Sequence, residues 1–393
     1  MKAAFWISLV VIGYTYVGYP LIMFLLARLK PKMWKREQFD ASVSVIMAVH
    51  NGAHLLREQI DHLTTLYPVF VREVIVVSDG SNDGTSEMLR QVNDSRVRTI
   101  ILEEQGGKAA ALNQGIAAAT SEILLFVDIR PKIAPSALKA LLSNFADPSV
   151  GCVAGELVLN TLGHDAAASA VSGVYWKYEQ WIRNCEAAWD SPVGVYGGFY
   201  AVRRSLATAF PAGIILDDMF QPLAIIRHGY RSVLDRTALV TDTWPGKVAG
   251  EFQRKVRTLA GNYQLISLAP WILSPRNRVL FQLISHKLLR LVVPYFFALL
   301  LVSSTWLGMD STGWRVMAAL QWLFWLAASL ALKIHIPIVH RFAAAASALL
   351  VLNVAAVAGL YKFLFTTGPL WKIWSVGRVA EASVPLEAGR GRA

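Results

Sequence analysis

Charge is absent from four long stretches of this chain, and between the first two lies a region of short apolar runs punctuated by polar turns. Ala3 to Ala27 is uncharged, and so are Leu291 to Met309, Val316 to Leu332 and Phe342 to Tyr361. A helix needs about 20 apolar residues to cross the hydrocarbon layer, so each run is of spanning length. The first predicts an uncleaved anchor with its N-terminus outside. A signal peptide would show a shorter apolar core and a small-residue cleavage site, whereas here basic residues follow the run. Four full spans put the C-terminal tail outside, but its Lys372, Arg378, Arg390 and Arg392 favour the inside, so one late run is expected to be re-entrant or interfacial.

From Ala41 the period changes. Val43 to Val49 reads as a buried strand closed by His50-Asn51-Gly52, and a helix follows over Leu55 to Leu66. Glu73 to Val77, Val97 to Leu102 and Ile123 to Val127 are further strands, with helices over Ser86 to Val92 and Lys108 to Ala118 between them. This alternation predicts an α/β domain with a mostly parallel sheet and helices on both faces. Ligands of such sheets bind outside the carboxyl ends of the strands. Asp79 and Asp128 stand at two of those ends. Asp83, in Ser81-Asn82-Asp83-Gly84-Thr85, reads as a turn former. Neither a G-x-G-x-x-G nor a G-x-x-x-x-G-K-[ST] loop follows the first strand, which removes the dinucleotide and phosphate-loop readings.

Gly250 to Pro275 spaces Phe252, Val256, Leu259, Tyr263, Ile266, Leu268 and Trp271 mostly three or four apart among polar residues. That pattern predicts a helix in the membrane interface, with an exposed surface helix as the alternative.

Composition sharpens this division. A chain that is 54% hydrophobic and 17% charged suits a soluble domain between membrane segments. The net charge of +11 could suggest nucleic acid, but the basic residues flank the apolar runs: Arg28, Lys30, Lys32, Lys35 and Arg36 after the first, and Arg276, Arg278, His286, Lys287 and Arg290 before the second. That placement predicts topology signals and contact with anionic lipid, with no nucleic-acid partner. Cys152 and Cys185 have no ligand or disulfide spacing and read as buried thiols, and His50 and His54 lack the Glu of a helical zinc pair.

The ordered motifs resemble the nucleotide-sugar half of family 2 glycosyltransferases. They are Val45 to Gly52, Val-Val-Ser-Asp79-Gly-Ser-Asn-Asp-Gly-Thr85, Gly107-Lys108-Ala-Ala-Ala-Leu-Asn113-Gln-Gly115, Leu125-Phe126-Val127-Asp128, Gly197-Gly198-Phe199-Tyr200-Ala-Val-Arg203-Arg204, Asp217-Asp218 and Gly229-Tyr230-Arg231. The surrounding membrane segments resemble the branch that includes cellulose and hyaluronan synthases. The resemblance covers about residues 42–265 and implies a GT-A fold, inverting chemistry and a divalent metal, Mg²⁺ or Mn²⁺.

By that resemblance Asp79 holds the nucleoside and Lys108 lies near the phosphates. Asp128 is the candidate metal ligand. The family's usual Asp-x-Asp reads Asp128-Ile129-Arg130 here, so Arg130 is expected to take over part of the phosphate charge. The family's Thr-Glu-Asp motif reads Leu216-Asp217-Asp218, which makes Asp218 the candidate base and Asp217 the weaker one. Asp218 could equally cap a helix over Met219 to Arg227. The branch's Gln/Arg-x-x-Arg-Trp motif becomes Arg254-Lys255-Val256-Arg257-Thr258, which keeps two arginines on one helical face for a diphosphate or lipid headgroups. Loss of its Trp puts long-chain processive synthesis in doubt. Gly197 and Gly198 allow close backbone approach beside donor or acceptor. Tyr175, Trp176, Tyr178, Trp181 and Trp189 read as sugar-stacking or as packing residues.

The expected organisation is a transmembrane helix at 1–29, a cytoplasmic GT-A domain at 30–249, interfacial helices at 250–288, a membrane region at 289–365 and a basic tail at 366–393. The expected activity is transfer of a sugar from a nucleotide-sugar donor to a growing polysaccharide or a lipid-linked acceptor, in a bacterial inner membrane with the catalytic domain inside. Membrane lipids and polysaccharide-export subunits are the expected partners. Transfer of a single sugar to a membrane lipid, and a catalytically silent synthase subunit, are the rival readings.

Overall fold

In a computed structural model of the chain, describing residues 1–66, 70–160, 166–243, 248–332 and 337–370, the uncharged N-terminal run forms one long helix, α1 (Lys2–Leu29). An extended linker leads to β1 (Val43–Val49), α2 (Ala53–Leu66), β2 (Val71–Asp79), α3 (Thr85–Arg90), β3 (Val97–Leu102), α4 (Lys108–Ala118), β4 (Ile123–Val127) and the short β5 (Lys132–Ile133). There follow α5 (Ala137–Ser143), β6 (Val150–Asn160), the long α6 (Ala166–Trp189), β7 (Phe199–Arg203), α7 (Asp217–Arg227) and β8 (Arg231–Thr243). Then α8 (Val248–Leu268) leads, through a short 3₁₀ turn, to three apolar helices: α9 (Leu280–Leu307), α10 (Thr312–Ala331) and α11 (Pro337–Phe365).

The eight strands form one sheet in the order β3-β2-β1-β4-β7-β6-β8-β5. β1, β2, β3 and β4 run parallel, as do β6 and β8, while β7 is antiparallel to both β4 and β6 and β5 is antiparallel to β8. β1 shows why the sheet is covered on both sides. Val43, Val45, Met47 and Val49 enter the core on one face and Ile46 the core on the other, so the strand reads as a continuous apolar run. This is the GT-A-like arrangement, a mostly parallel sheet between helical layers, joined, among the described residues, to four helices long and apolar enough to cross a membrane.

Two expectations need correction. The second helix of spanning length begins at Leu280 and not near Leu291, so His286, Lys287 and Arg290 lie inside it. Nor do the basic flanks simply face lipid. Lys32 and Arg278 both pair with Asp190 (2.6 and 3.0 Å), Arg36 pairs with Asp235, and Lys287, Arg290 and His286 all bond Glu179. Buried carboxylates compensate the lysines and arginines, which ties the sheet domain to the apolar helices. The region predicted to be interfacial is also more enclosed than expected: Val256 and Ala260 of α8 are buried, and Gly359 of α11 lies against Leu259 and Ala260. The basic residues from Lys372 onward lie outside the described residues.

Candidate active site

β4 carries the site's first acid. It ends at Val127, opposite Phe199 of β7, and Asp128 then donates its N–H to the carbonyl of Gly198 (3.2 Å). The antiparallel β7 therefore delivers Gly197-Gly198 to the tip of a parallel strand. α7 starts at the same edge. Its first two residues are Asp217 and Asp218, where negative charge complements the helix dipole. Leu216 is the N-cap, so Asp218 is a first-turn residue and not the cap. The Asp218 carbonyl accepts the Val195 N–H at 3.0 Å. A Cβ on Gly197 would stand 2.9 Å from that of Asp218, so only glycine leaves this carboxylate its place.

Lys108 enters from the opposite side as the first residue of α4. It is preceded by Gly107, whose φ of +91° favours glycine. The Asp79 carboxylate accepts the N–H groups of Gly106 (2.8 Å) and Gly107 (2.9 Å) and so fixes this turn. Lys108 Nζ then lies 3.0 Å from both Asp128 Oδ1 and Asp217 Oδ2. Burial alone would lower the lysine's pKa, but the two carboxylates outweigh it and raise it. Asp218 is pushed up to about 6 by burial and by the neighbouring Asp217 charge, against the opposing pull of Arg183, Lys108 and Lys287.

These groups line a cavity of about 220 Å³. Its floor includes Tyr196 and Arg130, which share Asp242: the Tyr196 hydroxyl donates to Asp242 Oδ2 at 2.8 Å, and Arg130 Nη2 lies 3.3 Å from the same oxygen. Its far wall is helical. Tyr175, Trp176, Glu179 and Arg183 come from α6, Arg254, Lys255 and Arg257 from α8, Lys287 from α9 and Leu352 from α11. Arg254 makes a two-pronged contact with Glu251 (2.9 and 2.7 Å), and Lys255 Nζ sits 3.7 Å from the centre of the Tyr175 ring. Glu179 gathers Arg183, His286, Lys287 and Arg290. Burial would raise its pKa, but His286, Lys287 and Arg290 hold it well below the carboxylate range.

The structure thus brings together Lys108, Asp128, Arg130, Gly197, Gly198, Asp217, Asp218, Arg254 and Arg257. Asp79 does not line the cavity; its carboxylate stands behind it, on the loop that carries Lys108. Asp83 caps the turn before α3 by accepting from Thr85 and Ala53, and Asn113 exchanges two hydrogen bonds with the Phe210 backbone. The aromatic group divides. Tyr175 and Trp176 line the cavity, Tyr178 and Trp189 pack with Tyr19 and Met23 of α1, and Trp181 lies against Phe24. Sequence reasoning passed over Glu179, Arg183, Tyr196 and Asp242, and read Lys255 only as part of the basic motif and Lys287 only as a flank. A glutamate and an arginine four apart on the aromatic helix were the available signal for the first two.

Among the described residues no three His, Cys, Asp or Glu side chains converge as a metal cluster. A hard cation at a nucleotide needs only one or two carboxylates, because phosphate oxygens and water supply its other ligands. Asp128, with its side chain about a third exposed, fits that demand.

Residues 44–208 match the family model described as Glycosyl transferase family 2. Among curated proteins the chain is similar to the poly-beta-1,6-N-acetyl-D-glucosamine synthase of Staphylococcus aureus, 21% identical over 234 residues, which are 57% of this chain and 55% of that one. It is also similar to the glycosyltransferase AglE of Haloferax volcanii, 39% identical over 89 residues, 22% of this chain and 29% of that one. The chain spans about half the length of the first of these relatives and less than a third of the second. Among solved structures, the mannosyltransferase PcManGT from Pyrobaculum calidifontis in complex with GDP-Man and Mn²⁺ superposes with a TM-score of 0.69, at 21% identity, over 92% of this chain and 99% of that one. The two share the fold over that length.

Proposed function

We propose that this chain, whose residues 44–208 form a glycosyl transferase family 2 domain, moves a sugar from a nucleotide-sugar donor to an acceptor hydroxyl at the membrane face, with inversion at the anomeric carbon. The observation that carries the reading is the cluster at the sheet edge, where Lys108 joins Asp128 to Asp217 at 3.0 Å each, beside Asp218 in one cavity.

The donor's diphosphate lies at Lys108, Asp128 and Arg130. Asp128 would hold a divalent cation, Mg²⁺ or Mn²⁺, which when bound would neutralise charge on the leaving group. Lys108 and Arg130 add fixed positive charge where the diphosphate becomes more anionic as the glycosidic bond breaks. Asp242 holds the Arg130 guanidinium in place. Asp218 accepts the proton of the acceptor hydroxyl as its oxygen bonds to the anomeric carbon and the nucleoside diphosphate departs. A base with a pKa of about 6 is ionised at neutral pH and still basic enough to help. Gly197 leaves room for the acceptor oxygen to approach that carboxylate. Lys30, Lys32, Lys35 and Arg36 after the first apolar helix favour a cytoplasmic site, where nucleotide sugars are available.

The test is to screen the full chain in detergent, with Mg²⁺ or Mn²⁺, against a panel of nucleotide sugars for nucleoside diphosphate release. At least one donor is expected to be turned over, and more slowly with chelator. Absence of both release and donor binding across the panel would overturn the proposal.

A further inference from the structure

Asp128 is the carboxylate at which a divalent cation would sit, and the chain's own ammonium is already on it. Lys108 Nζ lies 3.0 Å from Asp128 Oδ1 and also 3.0 Å from Asp217 Oδ2. The two carboxylates differ in how much water they meet. The Asp128 side chain is 31% exposed and that of Asp217 only 8%, with its Oδ2 buried. Water can solvate Asp128 when the lysine turns away, but it does not reach Asp217 in the same way. Lys108 is therefore anchored on Asp217 and held more loosely by Asp128.

The backbone fixes both ends of this bridge. Asp217 opens α7 and Lys108 opens α4, and Asp79 holds the Gly106-Gly107 turn that precedes the lysine. The moving part is the ammonium, with three N–H donors on a flexible stem.

A bare divalent cation meets two obstacles at Asp128. Beside the ammonium, two positive charges share one carboxylate, and their repulsion is strong in a partly buried site. If the ammonium is expelled instead, the Asp217 charge is left where water hardly reaches it. Among the described residues no cluster of three His, Cys, Asp or Glu side chains is present to share the charge. Two positions after Asp128 stands Arg130, a further cation, 3.3 Å from Asp242. A diphosphate removes both obstacles. Its oxygens accept from Lys108 while the lysine keeps its contact with Asp217, and its negative charge offsets the added cation.

We propose that Lys108, anchored on Asp217, bars Asp128 to a bare divalent cation and yields it when the donor diphosphate arrives, so that cation and diphosphate enter the site together. The inference rests on the glycosyltransferase reading and adds to it the order in which the site fills. It also gives Asp217 work distinct from that of the base, Asp218.

Metal and nucleotide binding are measured separately on the full chain in detergent. Mn²⁺ alone is titrated by the loss of its free electron paramagnetic resonance signal. Uridine and guanosine diphosphates are titrated calorimetrically, with Mn²⁺ and with chelator. In the wild type, a diphosphate is expected to bind about tenfold or more tightly with Mn²⁺ than with chelator, and Mn²⁺ alone is expected to bind weakly. Lys108→Met and Lys108→Gln are each expected to tighten Mn²⁺ alone by about tenfold and to weaken the diphosphate in chelator by about tenfold. Loss of structure would weaken both, so the opposite signs are the signature. Unchanged Mn²⁺ affinity or unchanged diphosphate affinity in these variants overturns the inference. So does a wild type whose diphosphate affinity is the same with Mn²⁺ and with chelator. Where a diphosphate binds and any of these results appears, the inference fails and the transferase reading stands. If neither diphosphate binds under any condition, both fail.

Discussion

The two walls of the cavity are built in opposite ways. The sheet-edge wall is acidic and assembled from strand ends: Asp128, Asp217, Asp218 and the Asp242 carboxylate behind them stand against Lys108 and Arg130. The helical wall is cationic and assembled from four helices, two of them of membrane-spanning length. An acidic wall suits a metal and a proton to be removed, and a cationic wall suits an anion. A strand end fixes its residues by hydrogen-bonded register, as in the Asp128 N–H to Gly198 bond. The helical wall is fixed instead by ion pairs across helices, with Glu179 at their centre.

That contrast can be broken at chosen points. The largest effect is expected for Lys108→Ala, which leaves Asp128, Asp217 and Asp218 facing one another without their shared cation. Turnover is expected to fall by about 100-fold or more, as when a preorganised charge is removed from a transition state, measured as nucleoside diphosphate release. Glu179→Gln strikes the other wall and is read as stability. Removing a buried carboxylate from its three cationic neighbours and His286 is expected to cost about 3–5 kcal/mol, seen as a lowered thermal midpoint in detergent. The pH profile separates the walls without mutation. Asp218 has its pKa raised to about 6, so the base is protonated below that pH, and kcat/KM is expected to fall about tenfold per unit on the acid side. A limb centred near 4 would place the proton acceptor elsewhere. Tyr196→Phe is the mildest change. It removes one hydrogen bond to Asp242 and loosens Arg130, and an effect of about 1 kcal/mol, or several-fold in kcat, is expected.

The same contrast explains what could be read from the sequence. Strands β1, β3 and β4 and helix α4 were legible to the residue, because a buried parallel strand is a continuous apolar run bounded by turns. Asp128 was legible as a candidate because its strand end is marked locally by such a run, whereas Asp217 and Asp218 were reached through the family resemblance of Leu216-Asp217-Asp218. The helical wall was not legible. Arg183, Lys255 and Lys287 belong to helices far apart in sequence, and each looks like an ordinary solvated or headgroup-facing cation until packing brings it beside Glu179 or Tyr175. For the same reason His286, Lys287 and Arg290 were assigned to a flank. A spanning-length count cannot see that a charged turn is neutralised by a neighbouring helix. Asp79 adds a contact that its strand-end position does not show: its carboxylate accepts the N–H groups of Gly106 and Gly107. Long-range compensation of charge is the part of this molecule that local pattern does not carry.

The claim tested most directly is that the first-turn carboxylate beside Gly197 removes the acceptor's proton. Single-turnover transfer should be measured for the wild-type chain and for Asp218→Asn at saturating donor, with donor affinity determined separately. The account predicts a loss of about 100-fold or more in the transfer step, with donor affinity unchanged within about threefold. Transfer at the wild-type rate by the Asn variant would contradict it.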